Sequence, residues 1–381
     1  MGWASRETVY FPHGARFRRH HLEQRQYIAT LDGWRAIAIS IVVVAHALHY
    51  SWAVQGVEIF FAISGYLICT NLLVERERTG GISLGDFYRR RAFRILPASF
   101  MYLLVLGILV LAGVTAATGQ DILSCIFLYA NYHFGRGWEV RHFWSLSMEE
   151  HFYLLWPAML TFLGNQRAKV AAGFGILTIF LWRIWAFSHY DLINTSAMAR
   201  TDLRLDVFFV PCAIAILLRE DAWRRRAERI GPMLCVGLMA VLALMKAFGG
   251  ESPVFTSFEL LFQACVYPIL VIYTVFHSTS PAGRFLELAP LRWIGRVSYS
   301  IYLWQQICVR PSWISAHITF VPFRIGCALI LAALSYYLVE QPMIRLGRKL
   351  GKRPSVRTVE PVASSSAVVE TPSARVKQDV V

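Results

Sequence analysis

The chain has 381 residues, 56% of them hydrophobic and 16% charged, and a formal net charge of +14. A soluble domain carries about 25% charged residues, and here the apolar residues gather in runs of roughly 18–22, the length that crosses a hydrocarbon core as a helix. Composition therefore excludes an ordinary soluble fold, and the basic excess, which in a soluble protein would suggest nucleic acid, has to be located before it is interpreted.

In chain order, residues 1–26 form a basic arm with Arg6, Arg16, Arg18, Arg19 and Arg25 and no apolar core of the kind a cleavable signal peptide needs. Ten spans are then predicted, at 31–50, 57–74, 97–117, 143–163, 170–188, 204–218, 230–248, 257–277, 294–312 and 321–340. With the N-terminus inside, alternate connections are rich in Lys and Arg. The arm, segments 75–96, 164–170, 219–229 and 278–296, and the tail after 341 together hold 29 of the 38 basic residues. The expectation is an all-α, polytopic membrane bundle of about ten helices with both termini cytoplasmic. Net charge then reflects topology and contact with anionic membrane lipids, with no nucleic acid partner. The expected division is a cytoplasmic arm (1–26), an integral membrane domain (27–345) and a disordered cytoplasmic tail (346–381). The seven cysteines show no CxxC or other metal spacing and read as buried, inert thiols. No internal repeat is visible, which disfavours a transporter of duplicated halves.

The first span, LDGWRAIAISIVVVAHALHY at 31–50, carries four polar side chains: Asp32, Arg35, His46 and His49. Arg35 and His46 are eleven residues apart, which puts them on one helical face about 16 Å apart along the axis. A charged residue at mid-bilayer costs on the order of 3 kcal/mol, so the stripe should face a cavity or other helices. Asp32 and His49 also suit the membrane interfaces. His46 lies deeper and titrates near neutral pH, as a general base requires.

Two later stretches raise the same question. In HFWSLSMEEHFYLLWP, 142–157, His142, Ser145 and Glu149 share a face, while Glu150 is rotated by about 100°. Glu149 could orient His46 by the logic of hydrolytic triads, or favour a helix start. Ser145 fits a nucleophile or a helix cap. In FYRRRAFRILP, 87–97, Arg90, Arg91 and Arg94 lie within one helical turn. Guanidinium groups suit phosphates, so a phosphate-bearing cytoplasmic ligand is plausible beside the plain positive-inside explanation. The histidines lack a metal-ligand spacing, so no metal is expected.

These residues, taken in order, resemble the acyltransferase family 3 membrane proteins, which O-acylate envelope sugars and related acceptors. LDGWRAIAISIVVVAH fits an opening Arg-x10-His pattern at Arg35 and His46. EIFFAISGYLI (58–68) resembles a Phe-Phe-x-x-Ser-Gly block, FYRRRAFRILP an Arg-rich motif, and HFWSLSMEEHFYLLWP a Trp-Ser-Leu-x-x-Glu block ending at Glu149. RLDVFF (204–209) resembles an Arg-x-Asp element and VSYSIYLWQ (297–305) a Ser-Tyr-Ser-x-Tyr-Leu-Trp element. Departures include Gln305 where His is usual, Glu58 for Asp and His151 for Gln. The SGNH-type extension of some members is not found after the membrane region, so a second step of that kind is expected to need another protein.

The resemblance implies an acyl-CoA donor, acetyl-CoA first, used from the cytoplasmic side of a bacterial inner membrane. On that reading Arg90, Arg91 and Arg94 hold the donor's phosphates, with Arg35 at its entry. His46 acts as general base or transient acyl carrier, oriented by Glu149. A carbohydrate or glycolipid acceptor approaches from outside, near Ser145, His142, Arg204 and Asp206. The alternatives from other classes are a proton-coupled exporter using His46 and Glu149 as relay, and a non-catalytic subunit of a polysaccharide export complex.

Overall fold

The computed structural model describes residues 27–50, 52–193, 195–309 and 320–351. The arm at 1–26, positions 310–312 of one predicted span, and the tail beyond 351 lie outside the described residues. Every regular element among the described residues is helical.

Helix α1, Ala29–Ala47, ends where His49 turns left-handed at φ 63°. Helix α2, Ala53–Thr79, stops at Gly80, whose φ of 77° lets its N–H return to the Arg76 carbonyl at 2.8 Å. Helix α3, Leu84–Leu111, starts at Ser83, whose hydroxyl caps the Asp86 N–H, and it absorbs the arginine cluster into its opening turns. The basic segment is thus helical, as the arginine spacing assumed, and α3's second half takes up the predicted span at 97–117 as far as Leu111. Helix α4, Gly119–Ile126, lies in the connection to α5 and begins with a Thr118–Asp121 capping box. Helix α5, Phe143–His189, joins two predicted spans, broken at Gly164 (φ 74°). Beyond it come α6 (Thr201–Arg204), α7 (Asp206–Leu217), α8 (Asp221–Glu228), α9 (Pro232–Phe248), α10 (Pro253–Phe276), α11 (Pro281–Leu286) and α12 (Ala289–Val309). Helix α13, Val321–Ser335, passes through a π turn at Tyr336–Glu340 into α14, Gln341–Lys349.

Six of these helical stretches are long and apolar enough to cross a membrane, or seven if the α8–α9 pair, bent by 83°, counts as one. The sequence suggested ten. Helix α7 has 12 residues, about 18 Å of helix, against a hydrocarbon thickness of about 30 Å. The two predicted spans of α5 are two helices that meet at the break at Gly164 and count together as one of the six, and α12 is diluted by Arg292, Arg296, Gln305 and Gln306. The tail boundary also moves. Residues 346–349 belong to α14, because Phe93 of α3 packs directly against Gly347.

Helix α12 lies against α1 where Gly295 meets the Asp32 backbone, a contact that a Cβ would prevent. A ring cluster joins α2, α5 and α7: Phe208 lies 4.5 Å from Phe152 and 4.7 Å from Phe61 between centroids. Two buried ion pairs cross the same seam. Arg183 meets Asp206 at 2.8 Å with both side chains fully buried, and Arg204 pairs with Glu58.

Candidate active site

A cavity of about 380 Å³ opens between α1, α2, α3, α5, α12 and α14. Helical periodicity decides what faces it. Ser64, Ile68 and Asn71 line it from α2, Arg90, Arg91 and Arg94 from α3, and Ser145, Glu149 and Tyr153 from α5. Arg35, Glu75, Ser298, Tyr299, Tyr302 and Arg348 add further polar groups.

One end is a fringe of guanidinium groups, differently held. Arg35 is tied to Asp32 at 2.8 Å, and Asp32 also accepts from the Tyr27 hydroxyl at 2.6 Å. Arg90 reaches Glu75 at 3.1 Å. Arg91 lies over the Tyr153 ring, 4.6 Å from its centroid. Among the described residues, Arg91, Arg94 and Arg348 have no carboxylate within ion-pair distance. Three cations without such partners around one cavity suit a ligand carrying several phosphate charges.

The other end, toward Ser145 and Tyr302, carries no charged side chain. Glu149 lies between the two, accepting from the Ser64 hydroxyl at 2.8 Å and close enough to Arg91 and Arg94 to interact with their charges. The Tyr302 and Ser145 hydroxyls are 2.6 Å apart, and both also reach the His142 carbonyl. His46 lies outside the lining. Its Nδ1 meets Gln305 Oε1 at 2.9 Å, and its ring stands edge-on to Trp138 at 5.1 Å. Gln305 follows Tyr302 by one turn of α12, so His46 sits just past the cavity's uncharged end. Gln305 continues to Gln306 at 2.7 Å, and Gln306 exchanges two hydrogen bonds with Trp138, at 2.7 and 2.9 Å.

Trp138 belongs to the segment between α3 and α5, which is built around Asp121. Burial raises that carboxyl, but the Thr118 N–H and hydroxyl, the Gly137 N–H and His133 outweigh burial and hold its pKa below the ordinary value. Arg136 donates to the Ala130 and His133 carbonyls at 2.9 and 2.8 Å. Burial, then the neighbouring Arg141, push its pKa down to about 10.

Several sequence expectations are rearranged. Arg35, Arg90, Arg91, Arg94, Ser145 and Glu149 do converge on one cavity. Glu149, however, bonds Ser64, and Gln305 meets His46 on the Nδ1 side where the carboxylate was expected. His142 packs its ring against Tyr102, Phe143 and Tyr302, and neither ring nitrogen has a hydrogen-bond partner among the described residues. Arg204 and Asp206 do not line the cavity and are held in the buried pairs with Glu58 and Arg183. His49 is exposed at the end of α1. Sequence reasoning leaves Ser64 and Tyr302 without a role, although they stand in the Phe-Phe-x-x-Ser-Gly and Ser-Tyr-Ser-x-Tyr-Leu-Trp blocks. Arg183 gives a signal as a lone charge in the apolar run 170–188, and Arg348 gives none. Among the described residues no group of three or more His, Cys, Asp or Glu is placed to hold a metal ion.

Fold and site together define a multi-pass helical membrane protein with an anion-receptive cavity leading toward a histidine. The family described as "Acyltransferase domain" matches residues 28–340. The chain belongs to that family, the acyltransferase family 3 whose motifs it resembles. Among curated proteins it is 30% identical to the peptidoglycan O-acetyltransferase OatA of Listeria monocytogenes, over 85% of this chain and 57% of that one. It is 28% identical to the putative peptidoglycan O-acetyltransferase YrhL of Bacillus subtilis, over 92% of this chain and 60% of that one. It is 27% identical to the O-acetyltransferase OatA of Staphylococcus aureus, over 85% and 58%. The chain thus spans under two thirds of the length of these relatives. No solved structure matches it.

Proposed function

We propose that this chain is a membrane O-acyltransferase that moves an acyl group, acetyl in the simplest case, onto a hydroxyl of a cell-envelope carbohydrate. The observation that carries the reading is one cavity with several guanidinium groups at one end, three of them without a carboxylate partner among the described residues, and Ser145 and Tyr302 at the other, with Glu149 between and His46 just beyond. The relatives' names, as peptidoglycan O-acetyltransferases, support the same acceptor class and do not favour the exporter.

The donor that fits such a cavity is long, carries phosphates at one end and a reactive carbonyl at the other. Acyl-CoA is that class. Arg91, Arg94 and Arg348 would hold its phosphates, with Arg35 and Arg90 beside them. Arg35 and His46 are separated by about 16 Å of α1, so a thin pantetheine arm would carry the thioester toward His46. His46 takes the proton of the acceptor hydroxyl as its oxygen attacks the thioester carbonyl. The new C–O bond forms, the C–S bond breaks, and the departing thiolate recovers a proton as free thiol. Gln305, held by Gln306, fixes the ring of His46. A bacterial inner membrane, with the arginine end and both termini cytoplasmic, an arm at 1–26 and a membrane domain from 27 to the end of α14, completes the reading.

The test is free thiol release from acetyl-CoA by the protein in nanodiscs, wild type beside His46→Ala, with an envelope glycan extract. Release should require both the extract and His46. Release that persists in the variant would remove His46 from the chemistry. Acetyl transfer from a donor without phosphates, but none from acetyl-CoA, would overturn the donor assignment.

A further inference from the structure

A second cleft, of about 310 Å³, lies on the outside of the bundle where α12 meets the π turn and α14. It is lined by Trp293, Arg296, Tyr336, Tyr337, Gln341 and Arg345. Its walls are held in place. The Trp293 indole N–H donates to the Tyr337 hydroxyl at 3.0 Å, and the Gln341 amide donates to the Tyr336 hydroxyl at 2.5 Å. The π turn has a part in this. One extra residue per turn changes which side chains share a face. Glu340 points inward to accept from Ser300 at 2.9 Å, while Tyr336 and Tyr337 line the cleft.

The two guanidinium groups have no carboxylate partner among the described residues. Arg296 uses only its Nε, on the Arg292 carbonyl at 3.2 Å. Arg345 lines this cleft while Arg348, three residues on, lines the cavity, so α14 supplies a guanidinium to each. Above the cleft runs an exposed apolar stripe on α13 and the π turn: Ile330, Leu334 and Leu338 are 63%, 51% and 70% accessible.

We propose that this cleft binds the headgroup of an anionic phospholipid. Arg296 and Arg345 would take the phosphodiester oxygens. The Trp293 and Tyr337 rings would lie at the level of the ester carbonyls, where amphipathic aromatics are favoured. Ile330, Leu334 and Leu338 would carry the acyl chains. The stripe belongs to a candidate membrane span and faces hydrocarbon in any case; it favours a lipid over a free phosphate because a headgroup in the cleft is continuous with chains that already lie along it. Basic clefts between helices at a membrane face are suited to such headgroups. The bound lipid would brace α14, the helix that carries Arg348 into the cavity.

The experiment uses the full chain in nanodiscs of phosphatidylcholine with an equal fraction of brominated phosphatidylglycerol or brominated phosphatidylcholine. Trp293 emission is taken as the difference between wild type and Trp293→Phe. The anionic lipid should quench it at least twofold more than the neutral one, and Arg296→Gln/Arg345→Gln should abolish the difference. Native mass spectrometry of the same variants, which needs no tryptophan change, should show loss of one retained phosphatidylglycerol. Millimolar inorganic phosphate should leave the quenching unchanged. Equal quenching by both lipids, or a preference that survives in the double variant, overturns the proposal. Displacement by inorganic phosphate would make the site one for free anions and overturn the lipid assignment.

Discussion

Replacing Asp206 by Ala strands the guanidinium of Arg183 inside the bundle. Both side chains are fully buried and 2.8 Å apart. Removing one partner of a buried pair costs about 3–5 kcal/mol, because the other charge is left uncompensated. Arg183 keeps hydrogen bonds to the Leu203 carbonyl at 3.0 Å and the Ser257 carbonyl at 3.4 Å. The cost should therefore fall near the lower end, about 3 kcal/mol, which corresponds to a fall of roughly 5 °C or more in apparent melting temperature. The pair itself should matter less than its completeness: Arg183→Met/Asp206→Leu removes both charges and should lie within about 1 kcal/mol of wild type. The assay is thermal unfolding in detergent, followed by tryptophan fluorescence, with thiol release on the same preparations. If Asp206 instead bound the acceptor, Asp206→Ala would melt like wild type and lose activity, and the double variant would be inactive. That pattern would refute the structural role assigned to the pair.

Gln305→Leu should leave folding intact and lower turnover about 100-fold, within the range for general-base catalysis, because His46 loses the group facing Nδ1; Gln305→Glu should recover part of it. Arg91→Gln and Arg94→Gln should each raise the donor KM, by about 10-fold for one charge-assisted hydrogen bond, with little change in kcat and a weaker salt dependence; unchanged donor dependence in both would remove the phosphate site. The segment around Asp121 should loosen on acidification. Its carboxyl is held below the ordinary value in the folded state, so its contribution is present above the unfolded pKa of about 3.9 and is lost as pH falls through the lower folded pKa. Hydrogen exchange at 118–137 should therefore be flat from neutral pH to about pH 4 after correction for intrinsic rates and rise below it. Asp121→Asn should show fast exchange at every pH.

The architecture was legible in the sequence to the extent that hydropathy and periodicity decide it. Apolar runs fixed where the helices lie, and helical spacing put Ser145 with Glu149 on one face and grouped Arg90, Arg91 and Arg94, all of which reach the cavity. The ordered motifs marked the family, because side-chain identity at a fixed spacing is a property of the chain alone. Length and hydropathy applied to the folded helices single out fewer candidate spans than the ten predicted, since α7 and α12 are not long or uniformly apolar enough and the two helices of α5 are counted together.

Pairing between distant segments belonged to the tertiary structure. Sequence could nominate Glu149 as the partner of His46, but only packing gives Glu149 to Ser64, 85 positions away, and His46 to Gln305, 259 positions away. It also turned Arg204 and Asp206 from candidate acceptor groups into buried ion pairs, and drew Arg348 out of a supposed tail into the cavity. The reason is physical: a helix's periodicity sets which residues share its face, whereas the partner across that face depends on how helices far apart in the chain come to lie side by side.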